Sequence, residues 1–220
     1  MPICIFAFDL YIRDYSLSMF PQAIQKLISH FQKLPGIGPR QAARFALRLS
    51  RMSENELKTM AADIAGLKKI IGQCRECGLL FEPAANGEML CRFCRDTSRD
   101  TAKICVVAND HDALAIEKTQ NFKGRYHILG GHVSLLDKPE NQNLNSARLL
   151  ERLKNNAGVE IILALNATTE GQATALYVEK IIQASHPQTK ITRLGQGLST
   201  GSEIEYTDEQ TLINALKNRQ

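Results

Sequence analysis

Apolar residues recur at helical spacing from Phe20 to His30, with Phe20, Ala23, Ile24, Leu27, Ile28 and, just beyond, Phe31 on one face and Pro21 in a first-turn position. The run L-P-G-I-G-P-R at 34–40 then interrupts the pattern with two glycines and two prolines. Pro39 opens a second predicted helix with Ala42, Ala43, Phe45, Ala46, Leu47 and Leu49 on its apolar side. A third begins after Ser53, where Ser53 and Glu56 have capping-box spacing. It carries Leu57, Met60, Ile64, Leu67 and Ile71 and ends near Gly72. Beyond residue 97 the pattern changes to strands alternating with helices. Strands are predicted at Ile104–Ala108, Tyr126–Leu129, Glu160–Leu165 and Lys190–Leu194. Helices are predicted at Asp112–Lys118, Ser146–Asn155 and Thr169–Ala184, with a short final one at Thr207–Leu216. Residues 135–146 and 195–203 read as loops. This alternation predicts a mostly parallel sheet covered on both faces. The fold class is therefore α+β and multidomain.

Composition narrows the picture a little. A hydrophobic fraction of 44% is that of a folded chain, and no apolar run reaches the roughly 20 residues needed to cross a bilayer. The apolar start lacks a basic n-region and a cleavage site, so a soluble, cytoplasmic protein is expected. Residues 1–18 read as a leader of mixed character, a strand, a tail or an upstream start, because Met19 directly precedes the first clean helix. The formal charge of +4 matters less than its placement. From Tyr15 through Ser53 there is no Asp or Glu, while Lys26, Lys33, Arg40, Arg44, Arg48 and Arg51 supply positive charge. An acid-free basic helical region points to nucleic acid.

The chemistry of the G-x-G segment agrees. Gly36 and Gly38 allow a tight turn between helices and leave backbone N–H groups open at the start of the second helix, where a phosphate can be held without reading a base. Arg40, Arg44 and Arg48 follow at four-residue intervals on one helix face. Taken alone, G-x-G is also an ordinary tight turn beside a charged helix surface. Lys33, Gly36, Gly38, Arg40, Arg44 and Arg48 are the candidate DNA-binding residues.

Cys74-x2-Cys77 and Cys91-x2-Cys94 form two soft-ligand pairs that can close a tetrahedral zinc site. Cys77-Gly78 supplies the small residue that a metal knuckle favours. One structural Zn2+ per chain is expected, with an iron–sulfur centre as the rival. Four thiolates leave no open position for catalytic water. Arg75, Arg92 and Arg95 either touch DNA or offset thiolate charge, and Cys105 belongs to the strand core. Further on, N-D-H-D at 109–112 and L-N-A-T-T-E at 165–170 lie where an open α/β sheet places ligands. Asp110, Asp112 and Glu170 are candidate Mg2+ ligands or partner contacts. The alternative reading gives Asp110 or Asp112, and Thr168 or Thr169, to helix capping. His111 and His132 each stand alone.

In order, L-P-G-I-G-P-R-Q-A-A-R-F-A, the two cysteine pairs, C-V-V-A-N-D-H-D-A-L-A-I-E-K-T, G-R-Y-H-I-L-G-G, E-I-I-L-A-L-N-A-T-T-E-G-Q-A-T-A-L-Y and T-R-L-G-Q-G-L-S-T-G-S-E-I-E-Y-T-D resemble the RecR family of bacterial recombination mediators. The resemblance covers about residues 19–220. It implies a helix-hairpin-helix domain at 19–72, a Cys4 zinc finger at 73–97, a Toprim domain at 102–199 and an assembly segment at 200–220. It also implies homo-dimers or ring-like homo-tetramers, RecO and RecF as partners, and help in loading RecA at single-stranded gaps, near the nucleoid. Arg40 and Arg44 match the family's DNA-facing positions, and the four cysteines match its zinc ligands. The usual V-V-E glutamate is replaced by Ala108, whereas Asp112 matches the family's aspartate. The D-x-D of catalytic Toprim enzymes corresponds to the region of Asn166 and Thr168. The resemblance thus implies a noncatalytic clamp, with a magnesium-dependent nuclease, primase or topoisomerase-like enzyme as the alternative.

Overall fold

The computed structural model describes residues 19–134, 144–154, 156 and 158–219 of the chain. The leader at 1–18 and most of the loop expected at 135–146 lie outside the described residues. The chain divides into two compact units, one ending at Lys68 and the other starting at Lys69.

The first unit contains α1 (Gln22–Phe31), α2 (Pro39–Leu49) and most of α3 (Glu54–Ile70). Ala42 and Ala46, one helical turn apart, present no side-chain bulk, so α1 packs closely and buries Ile28 against them. Phe20, Ile24, Leu27, Phe31, Ile37 and Ala43 surround this small core. Phe31 meets Phe45 edge to face at a centroid distance of 5.7 Å. At the start of α3 the capping box is present. Ser53 N–H donates to Glu56 Oε2 at 2.8 Å, and Glu56 N–H donates to Ser53 Oγ at 3.4 Å. No residue of α3 is buried, and Met60, Ile64, Leu67 and Ile70 stand exposed along it.

The second unit opens with the cysteine segment. Here β1 (Gly72–Gln73) pairs antiparallel with β2 (Leu80–Phe81), and α4 (Arg92–Arg95) is a single turn. The main sheet follows. Its strands are β3 (Asp100–Val107), β4 (Gly124–Ile128), β5 (Glu160–Ala164) and β6 (Lys190–Arg193), all parallel, in the order β4-β3-β5-β6. The helices α5 (Asp110–Lys118), α6 (Ser146–Lys154) and α7 (Thr169–Ser185) connect them, and α8 (Glu209–Lys217) ends the described chain. Because the β4–α6–β5 connection crosses back over β3, the carboxyl ends of β3 and β5 form a topological switch point.

The continuous apolar run of β3 is explained by its central place. Ile104 and Val106 enter a core with Leu149, Leu153, Ile161, Leu163, Val178 and Ile182, whereas Cys105 and Val107 face Tyr126, Ile128 and the cysteine segment. Strand β3 begins four residues before the predicted boundary. Asp100 pairs with Gly124 through an irregular register, and the intervening Thr101–Lys103 are exposed and carry no apolar signal. Helix α5 also begins early, because Asn109 is its cap and Asp112 Oδ2 accepts from Asn109 N–H at 3.0 Å.

His127 on β4 is fully buried. Its Nε2 lies 3.0 Å from the Asn145 carbonyl, and Arg152 Nη1 is 3.4 Å from its Nδ1, so the imidazole hydrogen belongs on Nε2. Burial first, and then the charge of Arg152, push its pKa down to about 3. An unfolded histidine titrates near about 6.5, so between these values only the unfolded chain gains the proton, and stability falls as pH falls. Replacing His127 with Gln should flatten this acid loss by up to about 1.4 kcal/mol per pH unit, read from urea midpoints of both proteins at several pH values.

Candidate nucleic-acid interface and metal centre

The turn between α1 and α2 is shaped for an anion. Gly36 has φ +77°, a conformation that L side chains rarely adopt, and both Gly36 and Gly38 border open space. Gly38 is the extended N-cap of α2 and Pro39 fills its first position. No side chain caps this helix start, and its first turn contains no acid. Its open N–H groups and the helix dipole therefore both favour a phosphate. Arg40, Arg44 and Arg48 are exposed on the side away from Ala42 and Ala46, and Lys33 is exposed beside the turn. Among the described residues, none of these four cations forms a salt bridge. The arrangement offers several unneutralised charges and no group aimed at a base edge.

The four predicted metal ligands converge. The sulfur atoms of Cys74, Cys77, Cys91 and Cys94 lie within 4.8 Å of one another and all four residues are buried. Cys77 Sγ and Cys91 Sγ are 3.5 Å apart, close to the edge of about 3.8 Å that Zn–S bonds of about 2.3 Å give a tetrahedron. Leu79 N–H points at Cys77 Sγ at 3.5 Å and Cys91 N–H at Cys74 Sγ at 3.4 Å, donors suited to thiolates. Hydrogen bonds from Cys77, Cys91 and Cys94 lower the Cys74 thiol. Gly78 turns the first knuckle at φ +81°, and its N–H donates to the Cys74 carbonyl at 3.0 Å. The donor set fits a metal ion such as zinc, which would bond all four sulfurs and leave no position for a substrate.

Two of the three candidate acids at the switch point are otherwise engaged. Asp110 Oδ1 accepts from Leu80 N–H at 2.7 Å, and Asp112 closes the cap of α5. Glu170 is exposed in the first turn of α7, where Thr168 Oγ1 accepts from Gly171 N–H at 3.2 Å. A Cβ on Gly171 would sit 2.0 Å from the Asn166 carbonyl, so this glycine lets α7 start directly over the end of β5. Among the described residues, the four cysteines alone bring three or more His, Cys, Asp or Glu ligand atoms within such reach of one another. Ala108 is fully buried, and its carbonyl accepts from Gly130 and Gly131 at 2.9 and 3.0 Å.

The remaining candidates divide by surroundings. His111 is exposed beside Asp112, and His132 keeps a buried Nε2 in the loop after β4. Cys105 is core, and burial pushes its thiol up to about 12. Arg92 lies over the Phe93 ring and Arg95 is 3.6 Å from Glu88, while Arg75 is exposed. Two groups had no sequence motif to mark them. One is Arg99, which pairs with Glu117, donates to the Gly124 carbonyl at 3.0 Å and lies over Phe93, while Glu117 also accepts from Tyr126 at 2.9 Å. The other is the pair Arg148 and Arg152, which donate to the carbonyls of Cys74 and Tyr126 at 3.1 and 2.7 Å. Their four-residue spacing on α6 was the available signal.

Comparison with known proteins covers nearly the whole architecture. The helix-hairpin-helix model of RecR matches residues 24–67, a Toprim domain model matches 102–195, and the C-terminal model of RecR matches 197–220. The recombination protein RecR of Gloeothece citriformis is 39% identical over 201 residues, 91% of this chain and 97% of that protein. That of Synechococcus elongatus is 39% identical over 203 residues, 92% and 98% of the two chains. The Staphylococcus aureus protein of the same name is 40% identical over 200 residues, covering 91% and 98%. With RecR relatives about 40% identical over roughly nine-tenths of its length, and with the RecR helix-hairpin-helix, Toprim and RecR C-terminal models matched in order along it, this chain belongs to the RecR family.

Proposed function

We propose that this chain is a noncatalytic, DNA-binding mediator subunit of recombinational repair. The observation that carries this reading is the acid-free Gly36–Pro39 turn, followed by Arg40, Arg44 and Arg48 on one exposed helix face. Its contacts are with phosphate, so binding is independent of base sequence and sensitive to salt. The exposed apolar residues Met60, Ile64, Leu67 and Ile70 of α3 suit contact with further copies of the chain, in a dimer or a ring-like tetramer around DNA. The family resemblance supplies the biological setting, in which such a clamp works with RecO and RecF to help load RecA at single-stranded gaps. The reading of the Toprim sheet as noncatalytic is supported by Ala108, Asn166 and Thr168 at the positions that the resemblance gives to catalytic carboxylates, by the bond of Asp110 to Leu80 N–H and by the capping bond of Asp112. Zinc is the ion assigned to the cysteines.

Three contacts from the arginine row should give a log–log salt slope of about 2.7 on duplex DNA. Charge reversal at Arg40 and Arg44 should weaken binding of end-labelled gapped DNA strongly in native gels and flatten that slope, with the thermal melt unchanged. Equal affinity of the reversed protein would refute the assignment. The same DNA incubated with magnesium should be shifted and remain uncut on denaturing gels; cleaved or covalently trapped strands would make the Toprim sheet an active site. Cys91→Ser should abolish stoichiometric zinc and lower the Tm by roughly 10 °C, measured by elemental analysis and calorimetry. Parent-like zinc content and melting would contradict the structural assignment.

A further inference from the structure

The cysteine segment is joined to one side of the α/β sheet by backbone bonds, and this has a mechanical consequence. Strand β4 is a sheet edge, with β3 as its partner. At its end, Ile128 N–H donates to the carbonyl of the ligand Cys77 at 2.7 Å. Arg148 of α6 donates to the carbonyl of the ligand Cys74 at 3.1 Å, and Asp110 at the start of α5 accepts from Leu80 N–H at 2.7 Å. Gly78 sits so close to the end of β4 that a Cβ would lie 2.9 Å from both the Ile128 carbonyl and Asn145 Nδ2. Arg125 of β4 pairs with Glu76 at 3.3 Å. The four cysteines also share one buried cluster with Val107, Ala113, Tyr126 and Ile128.

We propose that the metal ion acts as a brace for the β4–α5 side of the Toprim sheet, so that its occupancy sets the order of the Asn109–Asp112 turn at the switch point. Without the ion, Cys74 and Cys77 lose the constraint that aims their carbonyls at Arg148 and Ile128, and Leu80 is no longer held against Asp110. Strands β5 and β6 and helix α7 make none of these bonds and keep their own core with Val106 and Leu163. Coupling of this kind is reciprocal. Loosening the grip from the sheet side must therefore loosen the metal, although every sulfur ligand remains.

The test uses the full chain in its zinc-loaded form and after chelation, followed by amide hydrogen exchange. Chelation should accelerate exchange at the end of β4 and in the first turn of α5 at least about tenfold more than in β5, β6 and the α1–α2 hairpin. In parallel, Arg148→Met and Asp110→Ala should bind one zinc per chain yet lose it to a chromogenic chelator about tenfold faster than the parent. Exchange confined to residues 73–97, uniform acceleration through β5 and β6, or release at the parental rate would each overturn the brace. DNA takes no part in this experiment, so its result is independent of the assignment of the arginine row.

Discussion

Four buried sulfur atoms gathered within 4.8 Å of one another are the constraint on which this structure turns. A segment running from Cys74 to Cys94 has too few apolar side chains for a core of its own, and Leu79 and Phe93 are its fully buried ones besides the cysteines. It solves the problem twice. A metal ion bonded by the four sulfurs would supply the cohesion that apolar area cannot, and the rest of the segment borrows the face of a neighbouring sheet. Phe93 against Tyr126, at a centroid distance of 5.3 Å, belongs to this borrowed core, and Arg99 lies over both rings. The exposed edge of β4, which would otherwise present unpaired backbone groups, is partly covered in the same stroke.

The first unit follows a different economy. Among the described residues its core is three fully buried residues with a ring of partly buried ones, and α3 contributes none of them. Helix α3 is held locally by Ser53 and Glu56 and by its length, and buries none of its own residues. Such a unit has little interior to protect and much surface to offer. One side carries unpaired arginines, while α3 carries an uncovered apolar row.

Much of this was legible in the sequence, and the reasons are specific. Period-3.6 apolar spacing located α1, α2 and α3 because each has either a packed face or a strong cap. The run Ile104–Val107 showed a strand because β3 lies between two partners and is buried on both faces. The cysteines announced their convergence by spacing alone, since a short segment with two C-x2-C pairs has few other uses for them. The polar start of β3 was not legible, because Thr101 to Lys103 are exposed and are held in the strand by pairings distant in sequence, Asp100 with Gly124 of β4 and Lys103 with Glu160 of β5. Nor were His127, Arg99 and Arg148, whose roles depend on partners 18 to 74 residues away. The capping use of Asp112 was legible as one of two readings, and the structure shows that cap. Asp110 does something neither reading contained, since it holds the backbone of Leu80.

Ala108 has a consequence for the charge that the end of β3 carries. It has no exposed surface, and the backbone around it is fixed by Gly130 and Gly131, each bonded to its carbonyl. A carboxylate in its place would have to be led out to solvent or paired, because a buried charge without a partner is costly. The methyl group needs neither, so this strand end stays neutral under the same burial that gives the sheet its stability.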